Sequence, residues 1–454
     1  MSTQPARGMR DFLPEDVRRR DYVVGVIRSV YDRYGFEPLE TPAVENIETL
    51  VGHYGDENSK LIHKILKRGE REASGEADLA LRYDLTVPLA RVVAEYQAKL
   101  PRIFKRYQIQ PVWRAERPSR GRFREFYQCD IDTVGSSSPS VEAEQITAVS
   151  EILATLGFED FVIRINHRRF ITAWLNQIPI PSNQHAEVLI AIDKVDKIGK
   201  EGVAKDLAVK GFSDAQIAGI SGWIGSHHPP QWLDSLDAQF PGAADNGVEN
   251  LRKIMRLTAN TMAGDKLRVD PSLARGLGYY TGTIMEINVK DLPGSMAGGG
   301  RYDNLIGERF VATSQTPGKA QLQSRSIPAC GFSLGLERIM VVMQERGMFP
   351  PQVEEASIDV VVAAIDEQAQ RAALETATAL RSAGGLRVDL YPDVVKKMDK
   401  IFKYVDQRKA RFIAILGGNE VADGSVSLRH VGTKKQETVP RAEAAAYVKR
   451  ALSN

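Results

Sequence analysis

Cysteine is nearly absent: Cys129 and Cys330 are the only two in 454 residues. At about 200 positions apart they build neither a disulfide framework nor a CxxC zinc site, so structural zinc is not expected. Long apolar runs are missing as well. Nothing approaches the roughly 18 uninterrupted residues of a membrane helix, which leaves no membrane partner to expect. The first residues carry Arg7, Arg10 and Asp11 with no apolar segment behind them, which argues against a secretory signal and gives a cytoplasmic address as the expectation. Nor is there an excess of either charge. Sixty basic against fifty-eight acidic residues leave a net charge of +2, so any phosphate-binding surface must be a local patch. What remains has the composition of an ordinary soluble globular chain, long enough at roughly 150 residues per domain for two to four domains.

Apolar Val23, Val26, Ile27, Val30, Tyr31 and Tyr34 recur at helical spacing after Pro14 and stop at Gly35, which predicts an amphipathic helix with a glycine end. FEPLETPAVE, with Pro38 and Pro42, reads as an extended sheet edge suited to a subunit interface. From Pro101 to Gly135 two strand-like pieces flank ERPSRGRF, predicting an antiparallel hairpin with a long basic tip. A helix through Ile146, Val149, Leu153 and Leu156 and a strand FVIRIN follow, giving an α+β layer. Residues 170–262 read as a helical insertion within a first domain spanning 1–345. A proline-rich acidic bridge at 346–356 reads as a linker, and 357–454 repeats strand and helix as a small, mainly parallel α/β domain.

Chemistry concentrates in a few stretches. Arg114, Arg117, Arg120, Arg122 and Arg124 crowd the hairpin tip, which is either a solvated charged loop or a polyphosphate site. In the second reading Phe126 is a platform for a base. Arg338, in GFSLGLERIM, supplies a second cation from a separate segment, as charge stabilisation of phosphate transfer requires. In ALRYDLTVPLAR, Asp84 and Thr86 are two apart and, on a strand, face one way; a buried capping aspartate is the alternative. Gln128 and Asp132 share a face of the second hairpin strand, so the two acids are placed to hold a cationic amino group with Thr86 and Gln128 beside them. ARGLGYYTGTIMEI sets Arg275 on glycine-flanked backbone before Tyr279 and Tyr280, whose apolar walls and polar tips suit a small flat polar side chain. KKMDKIFKYVDQRKAR is either a solvated helix face or a nucleic-acid footprint.

These motifs together resemble class II aminoacyl-tRNA synthetases and, within them, the histidyl-tRNA synthetases, over nearly the whole chain. GFEPLETPAVE is similar to motif 1, Arg102 to Asp132 to motif 2 and ACGFSLGLERIM to motif 3, while RGLGYYTG, GGGRYDNLIG and LRYDLTVPLAR single out the histidine enzyme. The resemblance implies a six-stranded antiparallel catalytic sheet in a homodimer, the helical insertion, and a C-terminal anticodon-binding domain. It implies ligation of L-histidine to tRNA(His) with ATP and Mg2+ through a histidyl-adenylate, with no further metal site. Carried over by position, Arg114 and Arg275 are catalytic. Asp84, Thr86, Arg114, Gln128, Asp132, Tyr279, Tyr280 and Tyr302 bind histidine, and Arg114, Glu116, Arg122, Phe126 and Arg338 bind ATP. Arg117, Ser119, Lys396, Lys400 and Lys403 meet tRNA. Gly278 stands where the family motif commonly has an acid. A rival reading, a synthetase-like histidine-sensing regulatory subunit of ATP phosphoribosyltransferase, lacks the last domain that this chain carries.

Overall fold

The computed structural model describes residues 3–51, 61–69, 74–225, 227–236, 239–240, 247–274, 279–310, 326–354, 358–395 and 397–453. They divide into two compact units, Met1–Met348 and Phe349–Asn454.

In the first unit, the strands in chain order are β1 (Glu37–Pro38), β2 (Val44–Asn46), β3 (Lys64–Leu66), β4 (Ala77–Leu81), β5 (Phe104–Trp113), β6 (Glu125–Val134), β7 (Val162–His167), β8 (Leu267–Val269), β9 (Thr283–Asn288), β10 (Ala297–Arg301) and β11 (Ala329–Gly335). Eight of them form one sheet in the order β1-β5-β6-β11-β10-β9-β7-β8. The six inner strands are antiparallel, as expected, and a parallel strand is added at each edge: β1 on β5, β8 on β7. The extra edges lengthen the sheet beyond the six strands expected. Pro38, which cannot donate to a ladder, sits in the edge strand β1 where that loss is tolerated.

The predicted first helix runs Pro14–Arg33 and buries Val23, Ile27, Val30 and Tyr31, and Gly35 closes it at φ +73°. It packs with the helices Ser140–Thr155 and Leu336–Glu345, which in turn lie against β11 and β6. On β6 the alternation is strict in chemistry: Cys129 and Ile131 are fully buried apolar residues, while Gln128, Asp130 and Asp132 point to the other face. β2, β4 and β3 form a separate small antiparallel sheet.

Helices Arg168–Leu175, His185–Ile192, Val195–Val209 and Asp214–Ser221 make up the insertion, whose core is aromatic. Phe170 meets Phe240 at 5.3 Å, Trp223 lies 5.7 Å from both Trp174 and Trp232, and His228 stacks on Trp232 at 4.1 Å. The helix Val248–Thr258, at the far end of the predicted insertion, packs on Ser140–Thr155 and β7 as well as on the 3-10 turn Pro230–Leu236.

The second unit has strands β12 (Val360–Ala364), β13 (Val388–Leu390), β14 (Phe412–Leu416), β15 (Ser425–His430) and β16 (Gln436–Pro440), in the order β13-β12-β14-β15-β16. The first three are parallel and the last two antiparallel. Because β12 is apolar on both faces, helices cover both. Val360, Val362 and Ala364 face Gln370–Ser382 and Ala444–Ser453, and Val361 and Ala363 face Met398–Gln407.

Candidate active site

The face of the large sheet opposite the helices opens into a cavity of about 660 Å³. A single transverse row of directly opposed residues runs across this face, Gln108 and Asp130, then Ser333, Gly298, Glu286 and Arg164, one from each successive strand from β5 to β7, and its four middle members line the cavity. In the adjacent row stand Arg106, Asp132, Gly331, Gly300 and Ile284. Opposed residues share a face, so the register alone turns these polar side chains to one side.

At one end of the cavity the polar groups are buried, and an ion pair stands among them. The Arg106 guanidinium lies 2.7 Å from Asp132 Oδ2, both side chains at most 3% exposed, and the Tyr302 hydroxyl donates to Asp132 Oδ1. Burial drives the Asp132 carboxyl upward while Arg106 and the tyrosine pull it down. Burial and the Asp132 charge hold the Tyr302 hydroxyl protonated, as its donor role requires. Two glycines make the space. A Cβ on Gly331 would lie 2.0 Å from Asp132 Oδ1, and one on Gly300 would lie 3.0 Å from the Tyr280 ring and 2.6 Å from a backbone oxygen. Tyr280 meets Tyr279 edge-on at 4.7 Å, and Tyr279 meets Tyr302 at 6.2 Å, forming an aromatic wall. The Gln128 amide donates to Ser333 Oγ at 3.1 Å.

Asp84 and Thr86 line the same cavity, but not from a strand. β4 ends at Leu81, and Thr86 opens the helix Thr86–Tyr96. Asp84 Oδ1 accepts a hydrogen bond from Val87 N at 3.2 Å, so the aspartate caps the first turn, and the alternation argument that paired it with Thr86 does not apply. Pro88 in that first turn is the sequence signal for a helix start.

The other end is lined by long cations. Arg114 donates from Nε to the Tyr83 carbonyl at 3.0 Å and lies 5.1 Å from the centre of the Phe126 ring. A Cβ on Gly294 would sit 3.3 Å from an Arg338 nitrogen and 3.7 Å from one of Arg122, so guanidinium groups from two distant segments converge there. Arg338 Nη1 donates to the Ser295 carbonyl. Glu116 lines this end, and Arg124 Nε reaches its carbonyl at 3.1 Å. Glu337 accepts Tyr127 N with both oxygens, at 3.0 and 3.1 Å, and burial pushes its carboxyl up to about 7. Arg120 turns away, bracing the tip against Glu345 and the Asp291 carbonyl.

Arg117 and Ser119 are exposed and lie outside the cavity lining. Ser119 and Arg122 exchange backbone bonds of 2.8 and 3.1 Å that close the tip as a tight turn. Lys400 and Lys403 are exposed on one side of Met398–Gln407, opposite buried Ile401 and Val405. Arg275, Gly278 and Lys396 fall outside the described residues. Asp130 was not picked out from the sequence, although it lies between Gln128 and Asp132 at the same two-residue period. Burial pushes its carboxyl up to about 7, opposed by Arg106 and reinforced by Asp132. Arg106, Ser333, Asp193 and Lys197 were likewise passed over.

The sequence profile described as histidyl-tRNA synthetase matches residues 8–339, and the one described as anticodon binding domain matches 359–451. The chain is 40% identical to the histidine–tRNA ligase of Gloeobacter violaceus over 96% of each chain. It is 39% identical to that of Cytophaga hutchinsonii over 95% of this chain and 96% of the other. A crystal structure of histidyl-tRNA synthetase from Nostoc sp. PCC 7120 superposes with a TM-score of 0.78 at 30% identity, over 99% of this chain and 100% of that one. With both profiles in chain order and full-length relatives at this identity, the chain belongs to the histidyl-tRNA synthetase family.

Proposed function

We propose that the cavity activates L-histidine with ATP and that the enzyme then ligates it to tRNA(His). The observation that carries this reading is the meeting, in one cavity, of an aromatic end holding a paired carboxylate with an end where Arg114, Arg122 and Arg338 gather. A carboxylate oxygen of histidine attacks the α-phosphorus of ATP, the bond to the diphosphate breaks, and histidyl-adenylate and pyrophosphate form. The 3′-terminal adenosine of the tRNA then takes the acyl group through a ribose hydroxyl, releasing AMP.

The enzyme's part is placement and charge stabilisation rather than covalent chemistry. Tyr279, Tyr280 and Tyr302 wall the imidazole, while Asp84, Thr86, Gln128 and Asp132 face the amino-acid backbone. Arg114 bridges the histidine carboxylate and the α-phosphate, Phe126 backs the adenine, Glu116 and Arg122 help to seat the nucleotide, and Arg338 meets the γ-phosphate. Arg275 stabilises the charge that builds on the α-phosphate.

Mg2+ is held mostly by phosphate oxygens and one or two carboxylates. No protein cage of three or more metal-ligating side chains exists among the described residues, whereas Glu286 lines the cavity as a carboxylate of the required kind. The residues therefore fit an ion that arrives with the nucleotide, with Glu286 to hold it; when bound, it would offset triphosphate charge. For tRNA, Arg117 and Ser119 lie towards the acceptor end and Lys396, Lys400 and Lys403 on the anticodon domain.

A homodimer completes the reading. Val44, Ile65 and Leu79 share the outer face of the small sheet and are each at least 37% exposed, an apolar surface that a second copy would cover. Leu79→Asp should shift the sedimentation coefficient to that of a monomer.

The direct test is histidine-dependent exchange of labelled pyrophosphate into ATP, followed by charging of a tRNA pool with labelled histidine. Histidine binding without exchange would point to a protein that only senses histidine, and absence of exchange and of histidine binding together would reject the assignment altogether. Arg275→Ala should leave the fold and histidine binding intact and slow adenylate formation by about two orders of magnitude.

A further inference from the structure

Lys197 and Asp193 belong to the helical insertion, yet both line the cavity. What brings them there is a buried charge cluster at the end of the transverse row. Arg164, 4% exposed and standing opposite Glu286, donates to Asp270 and, at 2.6 Å, to Asp196 Oδ2. Asp270 is fully buried, accepts the Ser272 amide at 2.8 Å and has His227 Nε2 at 3.3 Å. The turn carrying Asp196 is thereby tied to β7, and Val195 beside it is buried.

Immediately afterwards Gly199 takes φ +68° and ψ +174°, a backbone state open to glycine alone, and interrupts the helix Val195–Val209. The turn Val195–Ile198 is thus set apart from the helical run that follows and fixed to the catalytic sheet. Lys197 is the exposed cation of that turn, and its ammonium has no hydrogen-bond or ion-pair partner among the described residues.

We infer that Lys197 is a phosphate-binding residue of the active site, supplied by the insertion from the side of the cavity opposite the arginine hairpin. Its ligand is a phosphate oxygen, either of the diphosphate leaving group of ATP or of the terminal phosphodiesters of tRNA. The inference rests on the proposed ligase reading. A lysine offers three rotatable donors and a compact charge, which suits a phosphate that arrives and departs. Asp196 is the positioning residue that holds the turn in place through Arg164.

The experiment uses the full-length enzyme with Lys197→Gln and Lys197→Arg. Pyrophosphate exchange without tRNA reads the nucleotide source, and charging at saturating ATP and histidine reads the tRNA source. Lys197→Gln should raise the KM for ATP or for tRNA by about tenfold, the scale of one charge-assisted contact. Lys197→Arg should restore most of the loss, and the KM for histidine should stay unchanged. Wild-type constants in both arms, or equal loss in the Arg and Gln variants, would overturn the inference. Failure of the ligase reading shows separately, as absence of exchange in the wild type. Binding of inorganic pyrophosphate to the two variants, measured by calorimetry, tests the phosphate contact whether or not the wild type is active: weakening by Lys197→Gln alone supports it, and equal affinities in an inactive protein sink it.

Discussion

The two ends of the cavity solve opposite problems. At the aromatic end, buried Asp132 pairs with Arg106 and accepts the Tyr302 hydroxyl, so removing either charged partner leaves the other with uncompensated charge. At the basic end, Arg114 bonds a backbone carbonyl, a neutral partner that an anionic ligand outcompetes. The first arrangement fixes a shape before any ligand arrives, which suits choosing one small amino acid by its polar contacts. The second holds charge in reserve for a larger, flexible polyanion. Stability and catalysis should therefore be tightly linked at one end and separable at the other.

The most severe test is Asp132→Asn, which strands the Arg106 charge. It should cost roughly 3–5 kcal/mol of stability and reduce histidine-dependent exchange at least 100-fold, read by denaturant unfolding and the exchange assay. Arg114→Ala should lower exchange by about 100-fold yet leave stability within about 0.5 kcal/mol. An equal loss of stability in both variants would erase the distinction. Neutralising exposed Lys400 and Lys403 together carries the same logic into the second unit. The affinity for tRNA should fall, and the slope of its logarithm against the logarithm of salt concentration should shrink by about one unit per lysine.

The mildest test concerns His167, buried at the end of β7, where burial, with Arg169 and Arg301 nearby, lowers its pKa to about 4. The unfolded chain takes up this proton near pH 6.5 and the folded protein does not, so stability falls as pH drops through that window. The stability difference between wild type and His167→Gln should change by roughly 2 kcal/mol in favour of the variant between pH 7 and pH 5.

The basic end was legible because its residues are consecutive: arginines around a glycine turn between strand-like segments declare both the hairpin and its charge. The aromatic end was legible only in part. Tyr279, Tyr280, Tyr302 and Asp132 were found, but Arg106 was passed over because its partner lies across a hairpin. Asp130 was overlooked although the two-residue period required it to face the cavity with its neighbours. Asp84 was placed on a strand because RYDL reads as extended, while Pro88 announced the helix just beyond. Lys197 carried no local sign at all: its nearness to the sheet comes from Asp196 reaching Arg164, a contact between distant segments that no periodicity encodes.

His167 has one more meaning. The chain departs from the sheet there, at the start of the helix Arg168–Leu175, and it comes back at Gly247, just before Val248–Thr258. A Cβ on Gly247 would overlap His167 Nδ1 at 2.1 Å, so departure and return share one point. An excursion whose two ends touch constrains its host hardly more than a hairpin does. The parent fold can thus gain, exchange or shed the whole helical module as a cassette, and a short glycine-rich splice between these two positions is the natural way to ask what the catalytic body does without it.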